Sequence, residues 1–134
     1  VAGTNNVFGG AGAGNANTTG GSNSFFGKDA GLKNTGGGSN TFVGKSAGLS
    51  NTTESGNTFV GASSNGAAGV TNATALGANA TVSQSNTVVL GSNADAAVTT
   101  QGRGIILRAT NGANCFRVTV DNAGALSTAA VTCP

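Results

Sequence analysis

The stretch GGSNTFVGKSAGLSNTTESGNTFVG, Gly37 to Gly61, says nearly the same thing twice. Asn40-Thr41-Phe42-Val43-Gly44 returns as Asn57-Thr58-Phe59-Val60-Gly61, 17 residues later. Each copy places two large apolar residues side by side and follows them with glycine. The pattern extends in both directions. Apolar pairs stand at Val7-Phe8, Phe25-Phe26, Phe42-Val43, Phe59-Val60, Ala75-Leu76 and Val89-Leu90. The glycines that close these units read as Gly9, Gly27, Gly44, Gly61, Gly77 and Gly91, at intervals of 18, 17, 17, 16 and 14 residues. An asparagine precedes each pair: Asn5 or Asn6, then Asn23, Asn40, Asn57, Asn72 and Asn86. Two units carry a second apolar patch, Ala30-Gly31-Leu32 and Ala47-Gly48-Leu49.

A fixed short period is the signature of a repeat architecture. These units are too short for two helices and a turn. They suit one coil of a parallel β-solenoid, each coil pairing with the next about 4.8 Å along the axis. About six coils over residues 1–97 then make a rod of roughly 30 Å. Asn23, Asn40, Asn57, Asn72 and Asn86 are expected to stack as a ladder, satisfying one another's amides. Glycine serves the corners where the backbone needs positive φ.

Composition agrees with a thin rod. Of 134 residues, 37% are hydrophobic, many of them Ala, with six Phe and no Trp, Tyr or Met. A disordered chain is expected to be highly charged, yet only 7% of residues are charged and the net charge is +2. Six scattered Lys and Arg exclude the clustered basic surface that nucleic acid requires. No apolar run approaches membrane-spanning length, so membrane insertion is not expected.

Consecutive strand residues point to opposite faces. Phe42 and Val43, or Phe59 and Val60, therefore supply one inward and one outward column. A strand buried on one face alternates apolar with polar, whereas this strand is apolar on both. The core and interface columns comprise Phe8, Phe25, Phe26, Phe42, Val43, Phe59, Val60, Leu76, Val89 and Leu90. Leaving the outward members in water forgoes about 1.5–3 kcal/mol each. The expected cover is another copy of the chain, in a closed homo-oligomer.

The later coils carry a signature. NATALGANATVSQSNTVVLGSNADA, Asn72 to Ala96, resembles the head repeats of trimeric autotransporter adhesins, the YadA-like group. Ser85 to Ala94 and Thr74 to Ala80 match that repeat, chiefly at Asn72, Leu76, Gly77, Asn86, Val88, Leu90 and Gly91. The 17-residue coils look like an elongated variant found in bacterial surface and phage-fibre-like proteins. The resemblance implies a left-handed parallel β-roll, three chains around one axis, and attachment to host matrix, cell surface or glycan. It covers residues 1–97. The heptad stalk of that family does not follow Ala97.

Residues 98–134 read differently. Ile105 to Leu107 is an apolar strand, Asn111-Gly112 a turn signal, and Cys115 to Val120 an alternating strand. Asp121 to Gly124 is another turn, and Ala125 to Val131 a last strand. A small antiparallel meander is expected, capping an edge that would otherwise template further pairing. Cys115 and Cys133 are expected to form a disulfide in an oxidising, extracellular compartment. An intrachain staple, interchain bonds and free thiols all remain open. The chain does not begin with Met, which suits a processed protein or an excised fragment.

Catalysis is not expected. There is no His, and Asp29, Glu54, Asp95 and Asp121 stand apart with no pair suited to general acid–base work. Two cysteines without His make a poor zinc site, and no cofactor is expected. The start GGAGAGNANTTGG superficially looks like a dinucleotide fingerprint but lacks the strand-to-helix context. Asn-x-Thr triplets at Asn17, Asn51, Asn72 and Asn79 suit either repeat turns or glycan acceptors. The sequence thus points to an extracellular or cell-surface structural and adhesive protein, a homotrimer joining end to end into a filament. The alternatives are the head of a larger adhesin or phage tail fibre, and ice binding through Ser24, Thr41 and Thr58.

Overall fold

The computed structural model describes residues 3–92, 105–108, 115–120 and 124–131. The chain divides into two compact units, Val1–Ala97 and Val98–Pro134. The first is a parallel β-solenoid. Its main sheet takes one three-residue strand from each coil: β1 (Val7–Gly9), β2 (Ser24–Phe26), β3 (Thr41–Val43), β4 (Thr58–Val60), β6 (Thr74–Leu76) and β8 (Val88–Leu90). All neighbours are parallel. Between them β5 (Asn65–Gly66) and β7 (Thr81–Val82) pair as a second, two-stranded parallel sheet. Six strands in the main sheet enclose five turns of the solenoid, and no helix occurs among the described residues.

The register stacks like on like. Phe8, Phe25, Phe42, Phe59, Ala75 and Val89 form the inward column. The Phe8–Phe25, Phe25–Phe42 and Phe42–Phe59 centroids are 5.0, 4.7 and 5.0 Å apart, with rings within 13° of parallel. These distances match the spacing of adjacent strands, about 4.7–4.9 Å, so each ring is a copy of the last moved one coil along. Phe25, Phe42 and Phe59 are fully buried.

The register corrects one reading of the sequence. Phe8 pairs with Phe25 and Gly9 with Phe26, so the closing glycine of the first coil is Gly10, not Gly9. Gly10, Gly27, Gly44 and Gly61 share φ values of 131–135°, a backbone state that side chains rarely tolerate. Every spacing in the 17-residue part of the solenoid is therefore 17.

Each ring of the inward column rests on a glycine of its own coil. A Cβ at Gly14 would lie 2.6 Å from Phe8, at Gly31 2.4 Å from Phe25, at Gly48 2.4 Å from Phe42, and at Gly66 2.8 Å from Phe59. The next coil exchanges the pair. Ala75 takes the Phe59 position and Val82 takes the Gly66 position, and both are fully buried. Volume lost at the strand is returned from across the core, which keeps the interior close-packed.

In the second unit, β9 (Ile105–Arg108), β10 (Cys115–Val120) and β11 (Leu126–Val131) pair antiparallel in the order β11-β10-β9. The turn signals at Asn111-Gly112 and Asp121 to Ala123 lie outside the described residues. So does Cys133, and with it the Cys115–Cys133 pairing.

The exchange makes a direct test. Phe59→Ala removes a fully buried ring and is expected to cost about 3–5 kcal/mol. Gly66→Val alone drives a side chain into that ring and also destabilises. The double variant reproduces the Ala75/Val82 arrangement, so chemical denaturation should show it more stable than the two single costs sum to.

Candidate functional site: an outward apolar column on a laddered coil

The outward face of the main sheet carries two adjacent columns. One runs Val7, Ser24, Thr41, Thr58, Thr74, Val88; the other runs Gly9, Phe26, Val43, Val60, Leu76, Leu90. In the second column Phe26 is 46% exposed, Val43 38%, Leu76 46% and Leu90 44%, and Val60 is half-buried. Val7 and Val88 are exposed at the two ends of the first. Strand pleating places these side chains one coil apart in a continuous line. Contiguous apolar lines of this kind are uncommon on soluble monomers and mark interaction surfaces.

The other sequence-singled residues fall into three places. Phe25, Phe42 and Phe59 are core. Phe8 belongs to the same inward column but is 38% exposed, because no coil of the described chain covers its outer side. Val89 ends the column at the opposite limit and packs partly against the core.

The asparagines build two ladders rather than one. Asn23, Asn40 and Asn57 are buried. Their partners are mostly backbone groups, not each other's amides. The N–H groups of Asn23, Asn40, Asn57 and Ala73 donate to Oδ1 of the preceding Asn6, Asn23, Asn40 and Asn57 at 2.8–3.0 Å. The Nδ2 groups of Asn6, Asn23, Asn40 and Asn57 donate to the carbonyls of Gly20, Gly37, Glu54 and Val70. Each side chain thus replaces a backbone ladder rung where the chain turns. A true amide-to-amide ladder does exist, but at Asn17, Asn34 and Asn51. Asn34 Nδ2 donates to Asn17 Oδ1 at 2.9 Å, and Asn51 Nδ2 to Asn34 Oδ1 at 2.8 Å.

Asn72 and Asn86 belong to neither ladder. Both are exposed, at φ 52° and 59°, and pair with each other at 2.8 Å. They continue the left-handed corner held earlier by Asn5, Ser22, Ser39 and Gly56, a conformation that Asn tolerates better than most residues. The ladder position in that coil is taken by Ala73.

The sequence reading also missed Glu54. Gly3, Gly20 and Gly37 form a column in which a Cβ would strike the next coil's carbonyl at 1.8, 2.3 and 2.1 Å. Glu54 ends it, where the interval falls from 17 to 16 residues. Its carboxylate accepts from the N–H groups of Thr52 (2.6 Å) and Thr53 (3.0 Å) in its own turn and Gly69 (2.9 Å) in the next. Partial burial pushes its pKa upward, but backbone donors at Gly69, Thr52, Glu54 and Thr53 outweigh it and hold the carboxyl down at about 2.

Among the described residues, no three of His, Cys, Asp and Glu gather where a metal ion could be held, and no helix is long and apolar enough to cross a membrane. Lys28 pairs with Asp29 at the surface. No known protein family matches the chain, and no curated protein or solved structure matches it closely enough to carry an argument.

The two asparagine classes separate in stability. Asn40→Ala orphans the Asn57 N–H, at about 1–3 kcal/mol, and leaves the Glu54 carbonyl to Asn51 Nδ2 alone. Asn72→Gly removes the exposed pair while keeping the left-handed corner, and should stay within about 0.5 kcal/mol. Denaturant midpoints compare them. Glu54 gives a pH dependence. Its pKa is lower folded than unfolded, so its contribution is complete above about pH 4.5 and is lost as pH falls toward 2. Thermal unfolding across that window should fall more steeply for the native chain than for Glu54→Gln.

Proposed function

We propose that this chain is a non-enzymatic structural and adhesive subunit, exported from the cell, whose outward apolar column packs against further copies of itself. The supporting observation is the line Phe26, Val43, Val60, Leu76, Leu90, half-exposed and continuous along the rod. Covering the remaining area of each side chain contributes on the order of 1 kcal/mol. The line lies in register along parallel strands, so copies aligned in parallel meet with matching columns at every coil. A threefold bundle with left-handed coils follows from the resemblance to YadA-like head repeats.

End-to-end growth into a filament or surface fibre is the second half of the reading. Coil one supports it: Phe8 presents one side of its ring, and β1 has one unpartnered edge among the described residues. Edges of this kind template further strand pairing. Adhesion to host matrix, cell surface or glycan would then belong to the repeated Thr- and Asn-rich sides rather than to a pocket.

Charge placed in the column tests the reading. Val43→Glu with Leu76→Glu changes two exposed sites and leaves the core and ladders intact. Analytical ultracentrifugation should find the native chain as a trimer or as end-to-end multiples of it, and the double variant folded but without the side-by-side trimer. A native chain that stays a folded monomer at micromolar concentration would contradict it.

A further inference from the structure

Four Asn-x-Thr triplets occur in the solenoid, and the fold separates them. Asn51 is 4% exposed, and its Nδ2 donates both to Asn34 Oδ1 at 2.8 Å and to the Glu54 carbonyl at 3.0 Å. Its Oδ1 accepts from Asn57 Nδ2 at 3.1 Å. Asn17 is half-buried, donates to the Gly20 carbonyl at 2.8 Å and accepts from Asn34 Nδ2 at 2.9 Å. A substituent on either nitrogen breaks the amide ladder. Asn72 is exposed but its Nδ2 is held by Asn86 Oδ1 at 2.8 Å, and Thr74, the hydroxyl residue of its triplet, is half-buried in β6.

Asn79 differs from all three. It is exposed at a left-handed corner, φ 57°, between β6 and β7. Its backbone N–H is engaged by the Ala62 carbonyl, which fixes the corner, while its side-chain amide bonds no described residue. Thr81 is exposed and donates its hydroxyl to the Asn79 carbonyl at 3.4 Å. The amide and the hydroxyl of this triplet are therefore both accessible on the folded coil, and nothing in the ladders depends on either.

We infer that Asn79 is an N-glycan acceptor, the one triplet of the four that the folded solenoid leaves free for it. The donor is a saccharide carried on a polyprenyl diphosphate. Asn79 Nδ2 attacks the anomeric carbon; the bond from that carbon to the phosphate oxygen breaks as the carbon–nitrogen bond forms. The amide gives up one proton and the lipid diphosphate leaves with the electron pair. No oxidant or reductant is needed. Chains modified at Asn17 or Asn51 lose ladder hydrogen bonds and fall out of the folded population. The inference rests on the export in the proposed function but not on self-association.

The test expresses the full chain behind a cleavable secretion leader in a eukaryotic host that has an oligosaccharyltransferase. Secreted and lumenal fractions are both mapped by peptide mass spectrometry, so poor secretion does not leave the question unread. The expected result is a glycan on Asn79 at higher occupancy than at Asn17, Asn51 or Asn72. Asn79→Gln and Thr81→Ala should each abolish that mass increment, and Thr81→Ser should retain it. An unmodified Asn79 peptide in folded protein, or occupancy at another triplet equal to or above Asn79, would overturn the inference. Sedimentation of Asn79→Gln reads association separately and should match the native chain.

Discussion

Every residue in the 17-residue coils lies on its own counterpart one strand spacing away, and this self-stacking governs the rest of the molecule. A column is stable only if its residue type attracts, or at least accepts, a copy of itself at about 4.8 Å. Phe does so through parallel ring contact, Asn through its paired donor and acceptor, Thr through hydroxyl bonds such as Thr18 to the Thr35 carbonyl and Thr35 to the Thr52 carbonyl. Glycine does so by absence, since a Cβ at Gly20 or Gly37 would meet the carbonyl above it. Charge fails the test, because like charges one strand apart repel. The low charged fraction of the chain is thus a consequence of its geometry. Lys28 and Lys45 do stack, but at the exposed rim, and Lys28 is paired with Asp29.

Two coil chemistries share this one ladder. The earlier coils are wide, with stacked rings on one side of the core and asparagines on the other. The later ones are shorter and filled by Ala75, Ala80 and Val82. The change occurs between Asn51 and Val70, where three devices converge. Asn57 hands its ladder to Ala73 and to the Val70 carbonyl, Glu54 ties its own turn to Gly69, and the Phe59/Gly66 pair gives way to Ala75/Val82. The carboxylate is the one charged group in this joint, and it succeeds because it has no charged copy above or below it.

Much of the solenoid was legible because its determinants are local. The Thr-Phe-Val phrase carries strand and period at once, and pleating puts Phe42 and Val43 on opposite faces; burial decides which is inward, with Phe42 fully buried and Val43 exposed. The errors have equally local causes. Gly9 and Gly10 are adjacent, and only registering Phe8 on Phe25 selects Gly10. Asn72 and Asn86 stand five residues before their glycines, whereas Asn40 and Asn57 stand four before theirs. That difference was present in the sequence and moves them from ladder to corner. The ring–glycine pairing could also have been found, since Gly31 and Gly48 recur six residues after Phe25 and Phe42. The role of Glu54 could not, because it depends on Gly69 coming close from 15 residues away.

The claim that side-chain amides stand in for backbone rungs has a direct observable. The N–H groups of Asn23, Asn40, Asn57 and Ala73 have asparagine Oδ1 atoms as acceptors, and lie just before strands. Residue-resolved hydrogen exchange by NMR should show them protected as strongly as the amides within β2, β3 and β4. Exchange at the rate of open turns, with the strand amides still protected, would mean that the asparagines fill space without holding the coils together.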